Sequence, residues 1–400
     1  EELFYIYFPT SKGKNYVVTA KDPRGPWSDP VDLKVNGIDP GHITDSDGNR
    51  FIYLNGGKFA HLAPDGLSVT KDAVVKYSGW EFPDSWEVEC FCLESPKLIS
   101  KNGYYYLTSA QGGTAGPPTS HMAVTARALK PQGPWEESPY NPLVRTWSAD
   151  ERFWSKGHGT VFDDAEGNWY VIYHAYEKNK LAYGRHMLLE TVDWDDKGWF
   201  RTTRNPMEEG KVISHRNESV ESDRFEGDTI DLQWQHGGLQ APFDSFEQKD
   251  GALELQGSPD QLRTLQLNPF EHDYEVAAVL GVEGDGMTAG VGIYYSDTHY
   301  VGIAYKGEHV ILNFRDRVRR VGGVSHEQAK FLKVRLRGQV ASFFYSANGS
   351  DWTKCSRSFE LSGYQHNALG DYSYIRPVVY YQGEGKVKVR DFNYSPYEEE

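Results

Sequence analysis

Asp47-Gly48-Asn49-Arg50-Phe51-Ile52-Tyr53-Leu54 sets a pattern that the first half of the chain repeats. A turn dipeptide is followed by a short aromatic and β-branched run, as expected of a tight turn that feeds a strand. Asn102-Gly103 leads into Tyr104-Tyr105-Tyr106-Leu107, and Glu166-Gly167-Asn168 into Trp169-Tyr170-Val171-Ile172-Tyr173. Phe4-Tyr5-Ile6-Tyr7 fits as the same strand of an earlier unit. A second element recurs independently. Val17-Val18-Thr19-Ala20 with Gly25-Pro26-Trp27 returns as Ala123-Val124-Thr125-Ala126 with Gly133-Pro134-Trp135. A period of about 50 residues with several strands per unit is the sequence form of a β-propeller blade. Hairpins in a sandwich share the turn dipeptides, but not the paired recurrence of two elements. Four units fit within residues 1–211, which we assign to a propeller domain.

Past Lys211 the texture changes. A charged, Ser-rich stretch around Ser214-His215-Arg216-Asn217-Glu218-Ser219 reads as a linker over residues 212–222. Short alternating strands follow, among them Tyr274–Val279, Val291–Tyr295, Leu332–Leu336 and Val378–Tyr381. Nine or more such strands between 223 and 397 indicate an antiparallel β-sandwich of jelly-roll size. The fold class is therefore all-β: a propeller of which four blades are visible, then a sandwich. Glu398-Glu399-Glu400 is expected to be a frayed end.

Composition narrows the function classes. The chain has 42 Lys and Arg against 57 Asp and Glu, a formal charge of −15. A general nucleic-acid binder needs a basic face, so no nucleic-acid partner is expected. No apolar run reaches the roughly 18 residues of a membrane-spanning helix, and no membrane partner is expected. With 19 Phe, 26 Tyr and 11 Trp, there is ample material for a core. Cys90, Cys92 and Cys355 match no zinc spacing and no disulfide framework. Cys90 and Cys92, on either side of Phe91, read as buried free thiols.

A propeller sets the first strand of each blade around one axis, so residues at the heads of those strands converge. Gly37-Ile38-Asp39-Pro40, Leu93-Glu94-Ser95-Pro96-Lys97 and Gly157-His158-Gly159 occupy those positions. Two carboxylates and an imidazole in an aromatic-walled funnel suit glycosidic bond cleavage. One carboxyl must be held protonated to donate to the leaving oxygen, and another must be ionised. Each motif alone has a bland reading: Asp before Pro is commonly a turn, and Glu94 could be a surface strand residue. Asp45-Ser46-Asp47-Gly48 resembles the start of a calcium loop, but without a Glu at its twelfth position it reads as a hairpin turn.

Together these motifs, with Asn102-Gly103-Tyr104, Gly167-Asn168-Trp169, Gly184-Arg185 and Val192-Asp193-Trp194, resemble glycoside hydrolase family 43 over residues 1–210. The resemblance implies a five-bladed propeller and inverting chemistry on xylose- or arabinose-containing plant polysaccharides. It implies that Glu94 is the general acid and that Asp39 orients it and keeps its pKa raised. It also implies that His158 contacts a water-bound structural calcium at the axis, no other cofactor being required, and that Arg185 holds sugar hydroxyls. Trp86 and Phe91, on the aromatic loop before Glu94, are further candidates for contact with the sugar. The second domain resembles the concanavalin-like C-terminal sandwich of the same family, through Asp223-Arg224-Phe225, Leu232-Gln233-Trp234 and Asn348-Gly349-Ser350-Asp351-Trp352. In relatives that sandwich closes one side of the funnel; a carbohydrate-binding role of its own is the alternative.

The family carries its general base as an Asp-Pro in the first blade. Here the only Asp-Pro pairs before Asp39 are Asp22-Pro23 and Asp29-Pro30, in the outer Gly-Pro-Trp element. The expectation is that the first blade lies upstream or on a separate segment. The leading reading is an exo-acting hydrolase that releases a terminal pentose, an α-L-arabinofuranosidase or β-D-xylosidase. The stretch Ser120-His121-Met122…Ser138-Pro139-Tyr140-Asn141-Pro142 tilts it to the former, and the substrate suits a periplasmic or secreted setting. The alternative is a carbohydrate-binding protein without turnover.

Overall fold

The structure, a computed structural model, describes residues 3–397 except 204–220, 228, 238–245, 270, 285, 315–316 and 371. Most of the expected linker (212–220) and the acidic end (398–400) therefore lie outside the described residues. The chain divides into two units: Glu1–Asn179 with Arg185–Gly210, and Lys180–Gly184 with Lys211–Glu400.

The first unit is built from four antiparallel meanders that succeed one another as propeller blades. β1 (Phe4–Pro9), β2 (Lys14–Ala20) and β3 (Val31–Asn36) form the first. β4 (Gly41–Thr44), β5 (Arg50–Leu54), β6 (Lys58–His61) and β7 (Val74–Val75) form the second. In the third, β8 (Glu94–Lys101), β9 (Tyr104–Gln111), β10 (Met122–Ala128) and β11 (Glu136–Glu137) run in order, with β12 (Val144–Arg145) added to β10. β13 (Phe153–Asp163), β14 (Trp169–Glu177), β15 (Arg185–Trp194) and β16 (Phe200–Thr202) complete the fourth.

The repeated turn residues close the hairpins by one mechanism. The Asp45 carboxylate accepts the N–H groups of Asp47 and Asn49 while Gly48 takes φ 83°. Asp164 does the same for Glu166 and Asn168 with Gly167 at φ 83°. Asp195 repeats it with Lys197 and Trp199. A side-chain carboxylate that mimics a backbone turn, followed by Gly where φ is positive, is local chemistry readable in sequence. The hairpin-turn reading of Asp45–Gly48 is what the structure contains.

The abundant aromatics fill the space between blades. Trp135, from the second Gly-Pro-Trp copy, donates through Nε1 to the Tyr53 hydroxyl at 3.1 Å, and that hydroxyl donates to the Pro131 carbonyl. The guanidinium of Arg127 lies 4.0 Å from the Trp199 ring centre and 4.5 Å from that of Tyr104, with Glu136 at 3.0 Å.

Among the described residues the second unit is a sandwich of two seven-stranded antiparallel sheets. One has Arg376–Gln382 and Thr288–Ser296 at its centre, the other Lys386–Pro396 and Tyr274–Glu283. Alternate residues such as Val276, Ala278, Val291, Ile293, Val334 and Val379 are buried in one core. The hairpin expected at Asn348–Trp352 joins Val340–Ser346 to Thr353–Glu360, with the Asn348 side chain accepting the N–H groups of Ser350 and Asp351.

Candidate active site

Asp39 immediately precedes β4, Glu94 opens β8, and His158 sits inside β13. In each case the backbone departs from a regular strand. Asp39, Ser95 and His158 have φ of 54°, 53° and 60°. The β8–β9 register shifts between Glu94 and Lys97, and the β13–β14 register shifts on both sides of Gly157. Extra residues at strand heads turn side chains that would otherwise alternate across a blade toward the axis. Left-handed non-glycine residues cost about 1–3 kcal/mol each, and three of them at one place mark a site that the surrounding sheets hold in shape.

The three side chains converge. Potential ligand atoms of Asp39, Glu94 and His158 all lie within 4.8 Å of one another. The imidazole stands between the carboxylates, with Nδ1 3.7 Å from Glu94 Oε1 and Nε2 4.0 Å from Asp39 Oδ2. Asp39 Oδ2 also accepts the Ser95 N–H at 3.1 Å, so the residue after Glu94 is tied to Asp39. Acid and base of an inverting site stand about 6.5–9.5 Å apart to admit a water. Asp39 and Glu94 are closer than that, which fits Asp39 as a neighbour of the acid rather than as the group that activates water. Gly41 permits this approach: a Cβ there would meet the Pro96 carbonyl oxygen at 1.9 Å.

Arg185, at the head of β15, joins the cluster from the fourth blade. Its Nη1 lies 3.1 Å from His174 Nε2 and its Nε donates to the Tyr176 hydroxyl. Two histidines that the sequence reading left without a role complete the surround. His121 is fully buried, its ring stacked on His174 with centres 5.2 Å apart, and its Nδ1 pairs with the Gly112 carbonyl. Lys97 is a further unassigned cation: burial pushes its ammonium down and Asp39 pulls it back up. Lys97 belongs to a motif already singled out, whereas His174, buried in a strand run, carried no local signal.

Electrostatics corrects one expectation. Burial would raise the Glu94 carboxyl, but His158, His121 and Arg185 outweigh it and hold the group below the ordinary glutamate value. Glu94 is therefore ionised at neutral pH in the unliganded protein.

The buried histidines are expected to make the propeller acid-labile. Burial pushes His121 down to about 4 and His174 to about 2, from an ordinary 6.5. A depressed folded pKa gives stability that is present above the unfolded value and lost as pH falls toward the folded one. For His121 this is about 3 kcal/mol. Unfolding free energy of the chain should fall between pH 6.5 and 4, with a shallower slope in His121→Gln. A flat profile over that window would refute the assignment.

Trp86 and Phe91 are each placed against other aromatic rings. Trp86 packs against Arg145, 3.4 Å from ring centre to guanidinium, and edge-on to Trp80 and Trp147. Phe91 is 42% exposed, stacked on Phe82. The thiol expectation is overturned: Cys90 and Cys92 form a disulfide, and neither is buried. The chain turns between them, with Cys92 at φ 40°, and brings the Cα atoms to 5.3 Å, which is within bridging reach. The loop after β12 is fixed differently. The carboxylate of Glu151 accepts the N–H groups of Trp147 and Ser148 and pairs with Lys156 at 2.6 Å, both side chains being almost wholly buried.

The implied calcium is one that His158 contacts through water. Calcium takes six to eight oxygens, which such an ion would draw largely from solvent. Around His158 the carboxylates of Asp39 and Glu94 form one group within 4.8 Å and the ring nitrogens of His121 and His174 another, so oxygen as well as nitrogen donors face the imidazole.

Residues 1–200 match the family Glycosyl hydrolases family 43, and residues 222–373 match the Beta xylosidase C-terminal Concanavalin A-like domain. The chain belongs to glycosyl hydrolase family 43. It is 34% identical over 225 residues to a xylosidase/arabinosidase of Butyrivibrio fibrisolvens, covering 49% of this chain and 40% of that protein. It is 28% identical over 277 residues to a non-reducing end alpha-L-arabinofuranosidase of Bacteroides ovatus, covering 64% and 50%. The chain thus spans half or less of the length of these two relatives. The GH43 protein BlXynB of Bacillus licheniformis shares the fold at a TM-score of 0.83 and 24% identity, over 99% of this chain and 84% of that one.

Proposed function

We propose that the chain is a glycoside hydrolase that releases a terminal pentose from plant cell-wall oligosaccharides with inversion, Glu94 giving the proton to the leaving oxygen. The observation that carries this is the strained convergence of Asp39, Glu94 and His158 on three strand heads. In this reading Glu94 takes up its proton as a bound sugar excludes water and favours the neutral carboxyl. Asp39 and His158 hold its orientation, and Arg185 contacts the sugar hydroxyls. The names of the relatives, xylosidase/arabinosidase and arabinofuranosidase, support a pentose and leave both sugars in play. Asp22, hydrogen-bonded to Arg24 in the β2–β3 connection, supplies no carboxylate to the cluster.

The test is release of p-nitrophenol from aryl α-L-arabinofuranoside and aryl β-D-xyloside, with the anomer of the released sugar followed by NMR. Turnover of either with inversion is the expected result. Retention of configuration would overturn the mechanism. Oligosaccharide affinity without turnover would favour the second reading, a sugar-binding protein, which the presence of only two carboxylates in the cluster among the described residues motivates.

A further inference from the structure

Arg145 closes β12 and is 7% exposed. Its guanidinium lies over the Trp86 ring, 3.4 Å from its centre, and beside Trp147, 5.3 Å from that centre, the two indoles meeting edge to face. Its Nε donates to the Thr119 carbonyl at 2.9 Å. Among the described residues no carboxylate lies within 4 Å of it. Arg127, which also contacts two aromatic rings (Tyr104 and Trp199), has Glu136 at 3.0 Å. Nearby Arg152 has Glu177 at 3.1 Å, and Lys156 has Glu151 at 2.6 Å. A largely desolvated cation with no counter-charge is costly, by several kcal/mol in ordinary cases. Burial alone lowers the Arg145 pKa, with no acid to offset it.

The position points to substrate. In the third blade, register carries Glu94 to Ala110 on β9, Ala110 to Ala123 on β10, and Ala123 to Val144 on β12, beside Arg145. Three inter-strand steps put Arg145 about 14 Å from the head of β8, at the same end of the blade. Both indoles are held: Trp86 by its edge contact with Trp80, which exchanges two backbone hydrogen bonds with the Gln111 side chain, and Trp147 by Glu151. Trp147 is half exposed. Indole surface suits the CH face of a sugar ring, and a guanidinium fork suits a carboxylate.

We propose that Trp86, Arg145 and Trp147 form a distal subsite for a uronic-acid residue of the substrate, the guanidinium taking the sugar carboxylate and the indoles its ring. This rests on the glycosidase reading and names the substrate class as acidic oligosaccharides. A neutral sugar at the same place would leave the cation uncompensated.

Binding decides it without turnover. Calorimetry on Glu94→Gln protein would compare a xylo-oligosaccharide that bears one glucuronosyl residue with the methyl ester of that same ligand. A galacturonosyl pair would be run alongside, to tell the two uronate sources apart. The free acid of at least one pair should bind about tenfold or more tightly than its ester, the worth of a hydrogen-bonded charge. That ratio should shrink with added salt, collapse toward one in Arg145→Gln and partly recover in Arg145→Lys. Equal affinities for acid and ester in both pairs, or no measurable binding of either acid, overturn the subsite. An acid preference that persists in a folded Arg145→Gln overturns the role of Arg145. Aryl glycoside turnover by the unmutated chain tests the glycosidase reading separately: turnover with no acid preference removes the subsite alone, and acid preference with no turnover removes the hydrolase reading alone.

Discussion

Replacing Glu94 by glutamine is expected to lower kcat/KM on an unactivated pento-oligosaccharide by about 10²–10⁴-fold, the usual worth of a positioned general acid. On a p-nitrophenyl glycoside the loss should be much smaller, since p-nitrophenolate departs without a proton. The contrast between the two substrates is the diagnostic. A merely structural Glu94 would depress both alike, and equal losses would remove the acid assignment. The pH profile adds a second reading. The neighbouring His158, His121 and Arg185 hold the carboxyl below the ordinary glutamate value, so the protonated fraction of the free enzyme falls about tenfold per pH unit across the neutral range. For the unactivated substrate, kcat/KM should therefore climb as pH is lowered from 7 toward 5. That climb runs against the loss of stability from the buried histidines, and the two together should leave a narrow acidic optimum.

Gly41→Ala is the second large effect. The added methyl carbon would stand 1.9 Å from the Pro96 carbonyl oxygen, which is backbone and cannot swing aside. Either β4 or β8 must move. Overpacking of this kind costs about 1–3 kcal/mol, and here it also pulls Asp39 away from the Ser95 N–H and from His158. A displacement near 1 Å at a catalytic group costs about 10²-fold in rate. Denaturant unfolding and kcat/KM should fall together. Gly48→Ala is the control: its added carbon touches nothing within 4 Å, and φ 83° leaves only a local strain, about 1 kcal/mol, with turnover intact. If Gly41→Ala keeps stability and rate within a factor of two, the close approach of the two strand heads is not what shapes the site.

Much of this molecule is legible because its rules are local. Asp45, Asp164 and Asp195 close their own turns within four residues, so the blade repeat is written in the chain. Asp39, Glu94 and His158 could be brought together by knowing only that strand heads meet at an axis. The rest depended on distant partners. His121 gains its place from Gly112 and from rings on another blade, and nothing around it in sequence says so. The Glu94 environment inverted the expected pKa because the sign depends on which charges face it, and motif spacing does not carry that. Cys90 and Cys92 looked like inert thiols through an assumed burial that their loop does not provide. Arg145 passed unnoticed because a cation is conspicuous only when its missing partner can be searched for in space.

The Glu151–Lys156 pair has a mechanical consequence. Lys156 stands two residues before His158 on the same inner strand, and Glu151 grips the backbone of Trp147. Removing either partner of such a buried pair costs about 3–5 kcal/mol, because the other charge is left buried and unpaired, so the pair holds this loop in one arrangement. In the proposed distal subsite Trp147 is thus a fixed wall rather than a gate. Ligands on that side should be sorted by their girth, with association rates that do not wait on any opening step.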